Sequence, residues 1–482
     1  MKQRIIELEK LSALLEPDYK RRKEVRESVL NYTESFLEEI SESKGYEMTG
    51  DKGIGLLESP ISDDPIDIDE AISLVAYNVD RPGLNPASGA HLGYIPGGGI
   101  YYSSLGDYMA AISNRYAGVF FASPGAVYME NMMIEWMAGL VGYPKSSGGN
   151  LTSGGSIAHL TAIVTARDAF GIKAKDFDKV VVYLSKQVHH CIDKALRLAG
   201  MGESIKRYIP LDEKYRIIPE KLEEAISKDK ASGFIPWLII ASAGTTDTGA
   251  VDPLDTIGDI AKKFKLWYHI DGAYGGFFAL IEEGKRILKG LEKSDSLVID
   301  PHKTLFLPYG SGVVIVKDKK KLYNSQYYQA NYMQDTLNST EELSPADLSP
   351  ELTKHFRGLR LWLPLKLIGL KPFKAALEEK LLLARYFYEE VKKLGFETGP
   401  YPQLSIVTFR WVPKNEDADK INEKLVNEIQ KDGRVFISST RLDGKFTLRL
   451  AIVSFRTKLQ TVDLAIAVLK EKINLLLLKS ND

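Results

Sequence analysis

The chain divides by the period of its apolar and polar positions. Between about residues 99 and 318, short apolar runs recur: KVVVYLS (179–185), WLIIASA (237–243), LWYHIDGA (266–273), DSLVID (295–300) and GVVIVKD (312–318). Each is apolar along its length rather than at alternate positions, as expected of strands buried on both faces. Helical patterns such as IAHLTAIVTARDAF (157–170) and DPLDTIGDIAKKF (252–264) lie between several of them. Strands alternating with helices predict an α/β fold built on a mostly parallel sheet.

The flanks read differently. Residues 1–98 begin as charged amphipathic helix and continue as loops rich in Asp, Pro and Gly, ending in GYIPGGG (93–99). That stretch lacks a compact core pattern and is expected to pack on something else, such as a partner subunit. Beyond residue 364, a long helix around 373–395 precedes LSIVTFRW, a further helix, and the strands RVFISS and FTLRLAIV. This predicts a small α+β domain over 365–482, beside a large domain over 99–364. Residues 320–350 are polar, tyrosine-rich and aperiodic, the signature of a lid or of a disordered surface insertion.

Composition narrows the function classes. The 482 residues are 44% hydrophobic and 26% charged, ordinary for a soluble globular protein. With 63 basic and 64 acidic residues the net charge is −1, which gives no reason to expect nucleic acid or an anionic membrane as partner. The single cysteine, Cys191, excludes an intrachain disulfide and suits a reducing compartment. The N-terminus has no apolar signal core, and INLLLL near the C-terminus is far short of the ~20 residues of a membrane span. A cytoplasmic protein is expected.

The chemistry collects just after the apolar runs, where open parallel sheets bind ligands. VIDPHKTLF (298–306) places Lys303 and His302 between two runs that belong inside, so Lys303 needs a partner or a task. NLTSGGSIAHLTAI (150–163) is a Ser/Gly turn opening a helix, where Gly155 and Ser156 could hold an anion; alone it also reads as a simple cap. KQVHHC brings His189 and His190, equally readable as a satisfied pair at a helix start. Adjacent residues do not converge on one ion, so no metal site is expected. AGTTDTGAVDP contributes Thr245 and Thr246, and DGAYGG contributes Asp271. A lysine, a carboxylate, an anion-binding helix start and a flat histidine suit one ligand, pyridoxal 5'-phosphate (PLP). Lys303 would form the imine, Asp271 would pair with the pyridinium nitrogen, and His189 would lie on the ring face.

The order TSGGS, KQVHH, AGTTDTGAVDPL, HIDGAYGG and DPHK resembles the group II PLP-dependent amino-acid decarboxylases, which include aromatic-L-amino-acid, tryptophan and glutamate decarboxylases. The resemblance runs from SGAHLGYIPGGG to beyond FRGLRLW. It implies fold type I, the aspartate-aminotransferase-like architecture, with a seven-stranded large domain and a small C-terminal domain. It also implies a homodimer with active sites at the interface, and conversion of an L-amino acid to its amine and carbon dioxide. By the same resemblance Lys303 is the Schiff-base lysine, and His302 reaches the phosphate or the substrate carboxylate. Asp271 is the pyridinium partner, Ala273 packs against the ring and His189 stacks on it. Gly155 and Ser156 form the phosphate cup, and Thr246 lies near the ring oxygen. Tyr332 falls where relatives carry a mobile-loop tyrosine that protonates the reacting carbon, with Tyr327 and Tyr328 as close competitors.

Asp300 stands where some relatives carry Asn; a carboxylate there would repel the phosphate unless it points away, and it receives no role. GYIPGGGIYY resembles the side-chain pocket and offers Tyr94, Ile95 and Pro96 but no Lys or Arg, which favours an aromatic substrate over glutamate, aspartate or a diamino acid. The competing activities are an aldehyde synthase and an aminotransferase, the latter with Arg357 or Arg360 as carboxylate clamp. A cysteine desulfurase is disfavoured by the position of Cys191. A non-catalytic protein that kept the fold is the remaining alternative.

Overall fold

In the computed structural model, which describes residues 1–328 and 343–479, the apolar runs become Val180–Leu184, Ile235–Ser242, Trp267–Asp271, Ser296–Ile299 and Gly312–Val316. With Gly148–Thr152 and Ile205–Tyr208 they form one seven-stranded sheet. Taken from one edge, its strands begin at residues 148, 312, 296, 267, 235, 180 and 205. The five strands from Ser296–Ile299 to Ile205–Tyr208 pair in parallel, whereas Gly312–Val316 is antiparallel to both of its neighbours. The expected mostly parallel α/β sheet is therefore present, with an antiparallel edge.

Uniformly apolar strands result from burial on both faces. Ile239, Ile270 and Leu297 join one hydrophobic core, while Leu238, Ile240 and Val298 from the same strands join the core on the opposite face. The helix Gly155–Ala169 buries Ala158, Ala162 and Ala166, small residues that let its axis lie close to the sheet. The outer strands Gly148–Thr152 and Ile205–Tyr208 carry little strand signal, since one opens with two glycines and the other is IKRY.

A four-stranded antiparallel sheet follows near the C-terminus, with Glu397–Thr398, Ile406–Arg410, Lys445–Ala451 and Ser438–Leu442 in spatial order. The helices Lys371–Lys393, Ala418–Asp432 and Leu459–Lys479 share a separate core with it. At the other end of the chain, the helices Lys2–Ser12 and Tyr19–Glu39 bury no residue. Of the aperiodic stretch 320–350, the start lies in the helix Lys319–Gln326, where Leu322 is buried and Ser325 meets Thr165 at 2.9 Å. Tyr332 lies outside the described residues. No helix among the described residues is long and apolar enough to cross a membrane.

Candidate active site

The C-terminal ends of Ser296–Ile299 and Trp267–Asp271 and the turn after Gly148–Thr152 meet at one edge of the large sheet. Registry makes this so: Thr152 is opposite Gly312, Ile299 opposite Val313, and Asp271 opposite Val298. A cavity of about 460 Å³ opens there, lined by Gly155, Ser156, His189, Thr246, Asp271, Ala273, His302 and Lys303 among others. All eight residues expected at the cofactor thus share one cavity.

Lys303 is presented by a tight turn. Asp300 follows the strand as the N-cap of the single helical turn Pro301–Thr304, and Phe306 then takes a left-handed conformation at φ 65°. That conformation is strained for a non-glycine residue. It is held because the Phe306 ring is buried and stacked on Phe373 at 6.4 Å. The GYIPGGG loop presses on the same turn: a Cβ on Gly97 would come within 2.5 Å of the His302 carbonyl oxygen and 2.6 Å of that of Lys303. Glycine is therefore required there by close approach of backbones.

Electrostatics in the cavity are sharply polarised. Asp271 is buried, and burial would raise its pKa, but His159 beside it holds the carboxyl well below its ordinary value, with help from Lys303 and the Ala273 N–H. That N–H donates to Asp271 Oδ1 at 3.1 Å, and His159 Nε2 stands 3.5 Å from the same oxygen. Lys303 is raised although burial opposes its charge, because the Asp300 and Asp271 carboxylates face it. Asp300 does not point away from the cavity. Its Oδ2 lies 3.0 Å from Lys303 Nζ, and its Oδ1 is buried with no hydrogen-bond donor. His189 is lowered to about 4, chiefly by burial, and its Nδ1 accepts the Cys191 N–H at 3.3 Å, so its ring is neutral. His302 is also lowered by burial, and its Nδ1 bonds the Ser311 carbonyl.

These residues fit PLP on an independent observation. The helix Gly155–Ala169 has no side-chain cap at its N-terminus, so its first N–H groups lack a side-chain acceptor where they face the cavity. A phosphate satisfies such groups and complements the helix dipole. Asp271 provides the anion for a protonated ring nitrogen, and Lys303 the amine for the aldehyde.

A second cavity of about 320 Å³ adjoins the first, sharing His302 and Tyr309. Pro96 lines it, together with Gly97, Gly98 and Gly99. Tyr94 is half exposed and lies against His91 and Phe436, and Ile95 packs on the main core, so neither lines either of these two cavities. Tyr327 stacks on Tyr323 at 4.6 Å, and Tyr328 is exposed. Arg357 pairs with Glu351 and Arg360 with Asp107, which leaves neither guanidinium free as a clamp. His159, Tyr309 and Cys191, to which sequence reasoning gave no role here, also line the main cavity.

Residues 81–412 match the pyridoxal-dependent decarboxylase conserved domain. The chain belongs to the pyridoxal-dependent decarboxylase family. It is 35% identical over 372 residues to an aromatic-L-amino-acid decarboxylase of Bacillus atrophaeus, covering 76% of this chain and 77% of the relative. It is 29% identical over 440 residues to a phenylacetaldehyde synthase of Arabidopsis thaliana, covering 88% and 90%. Among solved structures, Oryza sativa TDC with PLP and tryptamine superimposes with a TM-score of 0.89 at 25% identity, covering 96% of this chain and 99% of that one. The architecture is fold type I, the cofactor of this pyridoxal-dependent decarboxylase is PLP, and the enzyme class is carboxy-lyase.

Proposed function

We propose that this chain decarboxylates an aromatic L-amino acid to the corresponding amine and carbon dioxide, as a cytoplasmic homodimer. The observation that carries the reading is the convergence of Lys303, Asp271 and the uncapped helix start at Gly155 on one cavity, in a chain of this family. When bound, PLP supplies the electron sink for breaking the bond between Cα and the carboxylate.

The chain's own groups do the rest. The N–H groups at Gly155 and Ser156 hold the phosphate, and Lys303 anchors the cofactor through its amine. Asp300, 3.0 Å away, holds the Lys303 ammonium whenever that group is free. Asp271 keeps the proton on the ring nitrogen. His189, neutral and flat, would cover one ring face, and Ala273 would leave room for the other. Thr246 would lie near the ring oxygen, and His302 would reach the phosphate or the substrate carboxylate. Tyr332, with Tyr327 and Tyr328 as competitors, delivers the proton to the substrate Cα.

The second cavity supports an aromatic side chain. Phe36, Val79, Leu84, Pro96, Leu307 and Pro308 supply apolar lining, and among the described residues no lysine or arginine lines it to hold an acidic group. Asp80, the one carboxylate that lines it among the described residues, accepts the Tyr32 hydroxyl and suits a substrate with a hydrogen-bond donor at its far end. The homodimer is supported by exposed apolar side chains on Tyr101–Ser113 and Pro124–Leu140, including Tyr108, Met109, Ile112 and Tyr128. In the same assembly, residues 1–98 cover the partner, 99–364 form the cofactor domain and 365–482 the small domain. The cytoplasmic assignment is supported by a lone, buried, unpaired cysteine.

Release of carbon dioxide from each common amino acid, with PLP added and the product identified, tests this reading. Amines from tyrosine, tryptophan or phenylalanine are expected. Turnover confined to glutamate or aspartate would overturn the substrate class. Aldehyde with hydrogen peroxide in place of amine would assign the synthase activity instead.

A further inference from the structure

Behind Asp271 runs a chain of buried polar groups that the proposed reaction does not use. His159, fully buried on the helix Gly155–Ala169, has Nε2 3.5 Å from Asp271 Oδ1 and Nδ1 2.9 Å from His269 Nε2. His269 Nδ1 in turn lies 2.8 Å from the Ser296 hydroxyl, which also accepts the Trp267 indole N–H at 2.8 Å. The two imidazoles meet edge to face, at 83° between planes and 5.1 Å between centroids. Two neighbouring strands and a helix thus fix one carboxylate from behind.

The order of donors follows from these contacts. His269, two residues before Asp271 on the same strand, is lowered to about 3 by burial and by His159, so it is neutral and free to accept at Nε2. His159 then donates Nδ1–H to it and presents Nε2–H to Asp271. Burial opposes charge on His159, yet Asp271 and then Cys191 raise it to about 10, so it is an imidazolium. The Ala273 N–H and His159 both address Oδ1. Among the described residues no hydrogen-bond donor occupies Asp271 Oδ2, the oxygen left for the ring nitrogen.

We infer that His159, braced by His269 and Ser296, is the positioning residue that holds Asp271 as an oriented carboxylate for the cofactor's ring nitrogen. The inference rests on the reading of Asp271 given above. It extends the site by a layer that acts on the cofactor through Asp271. Without His159, a buried carboxyl with a single N–H donor would turn away from the ring or take up a proton, and the grip on the ring nitrogen would weaken.

Three variants test this: H159F, which keeps ring volume but has no polar atom; H159Q, whose amide can still donate to Asp271; and D271N as reference. Cofactor-free proteins of native circular dichroism are titrated with PLP by absorbance, and kcat and KM are then measured. H159F is expected to bind PLP about tenfold more weakly, the equivalent of one pKa unit of lost interaction. Its visible band should be displaced and kcat should fall more than KM. H159Q should recover most of the affinity and the band. If H159F does not fold, S296A reads the chain from its far end, with a smaller loss in the same direction expected. Wild-type affinity and an unmoved band in H159F, or in S296A when that variant is the readout, would overturn the inference, as would H159Q no better than a folded H159F. Wild-type PLP affinity in D271N would instead show that the reading of Asp271 itself fails.

Discussion

Asp271→Asn exposes the energetics of the site without involving the cofactor. The substitution keeps the shape of the side chain and an acceptor for the Ala273 N–H, and removes the charge that faces His159. His159 stands at about 10 in the folded protein, against ~6.5 for an ordinary imidazole. At about 1.4 kcal/mol per pH unit, that interval corresponds to about 5 kcal/mol as an upper bound. Breaking a buried ion pair by removing one partner costs about 3–5 kcal/mol, in agreement. The sign follows from the raised value: the contribution is complete below pH ~6.5 and is lost as pH rises through about 10. The assay is urea unfolding of cofactor-free wild type and D271N at fixed protein concentration, from pH 6 to 10. The stability gap should be about 3–5 kcal/mol near pH 6.5 and should narrow by about 1.4 kcal/mol per pH unit toward pH 10. A gap that is constant with pH, or under about 1 kcal/mol throughout, would refute the ion pair.

Two further perturbations test the scaffold. Lys354, buried with Nζ 2.6 Å from Glu130 and 2.7 Å from Asn150, balances a carboxylate that also accepts the N–H groups of Arg357 and Gly358. K354M should lower the unfolding free energy by about 3–5 kcal/mol in denaturant titration, with partial recovery in E130Q/K354M; an unchanged midpoint would remove the pair from the account. G97A pushes a methyl group into the carbonyls of His302 and Lys303, so the loop must retreat from the Lys303 turn. A fall in kcat/KM on the order of 100-fold is expected from such a displacement, and wild-type kinetics would show that the contact does not position Lys303.

The parts of the site that a sequence shows are those coded locally. Asp271 and Lys303 each stand at the end of an uninterrupted apolar strand and the Gly155 turn opens a helix in a Ser/Gly run, so the rule that ligands gather at strand ends brings them together from the sequence. The parts that stayed hidden depend on pairing across long separations. His159 and His269 lie 110 residues apart, and each is unremarkable within its own segment. The signal that could have drawn attention was a histidine among small apolar residues on a buried helix face. Arg357 and Arg360 read as possible clamps because Glu351 and Asp107 could not be assigned to them without the fold. Within GYIPGGG the direction of each side chain depends on packing: Tyr94 turns to Phe436, while Pro96 faces the cavity. Asp300 received no role from the sequence, because a carboxylate beside a phosphate would repel it unless it pointed away. Its actual direction, toward Lys303, reflects an attraction between side chains three residues apart on one helical turn.

The most direct measurement is to reduce the PLP-loaded enzyme with borohydride, digest it, and locate the pyridoxyl group by mass spectrometry. The account predicts a single labelled site, Lys303, and no label in K303A. A label on a different lysine, or an unlabelled wild-type protein, would contradict it.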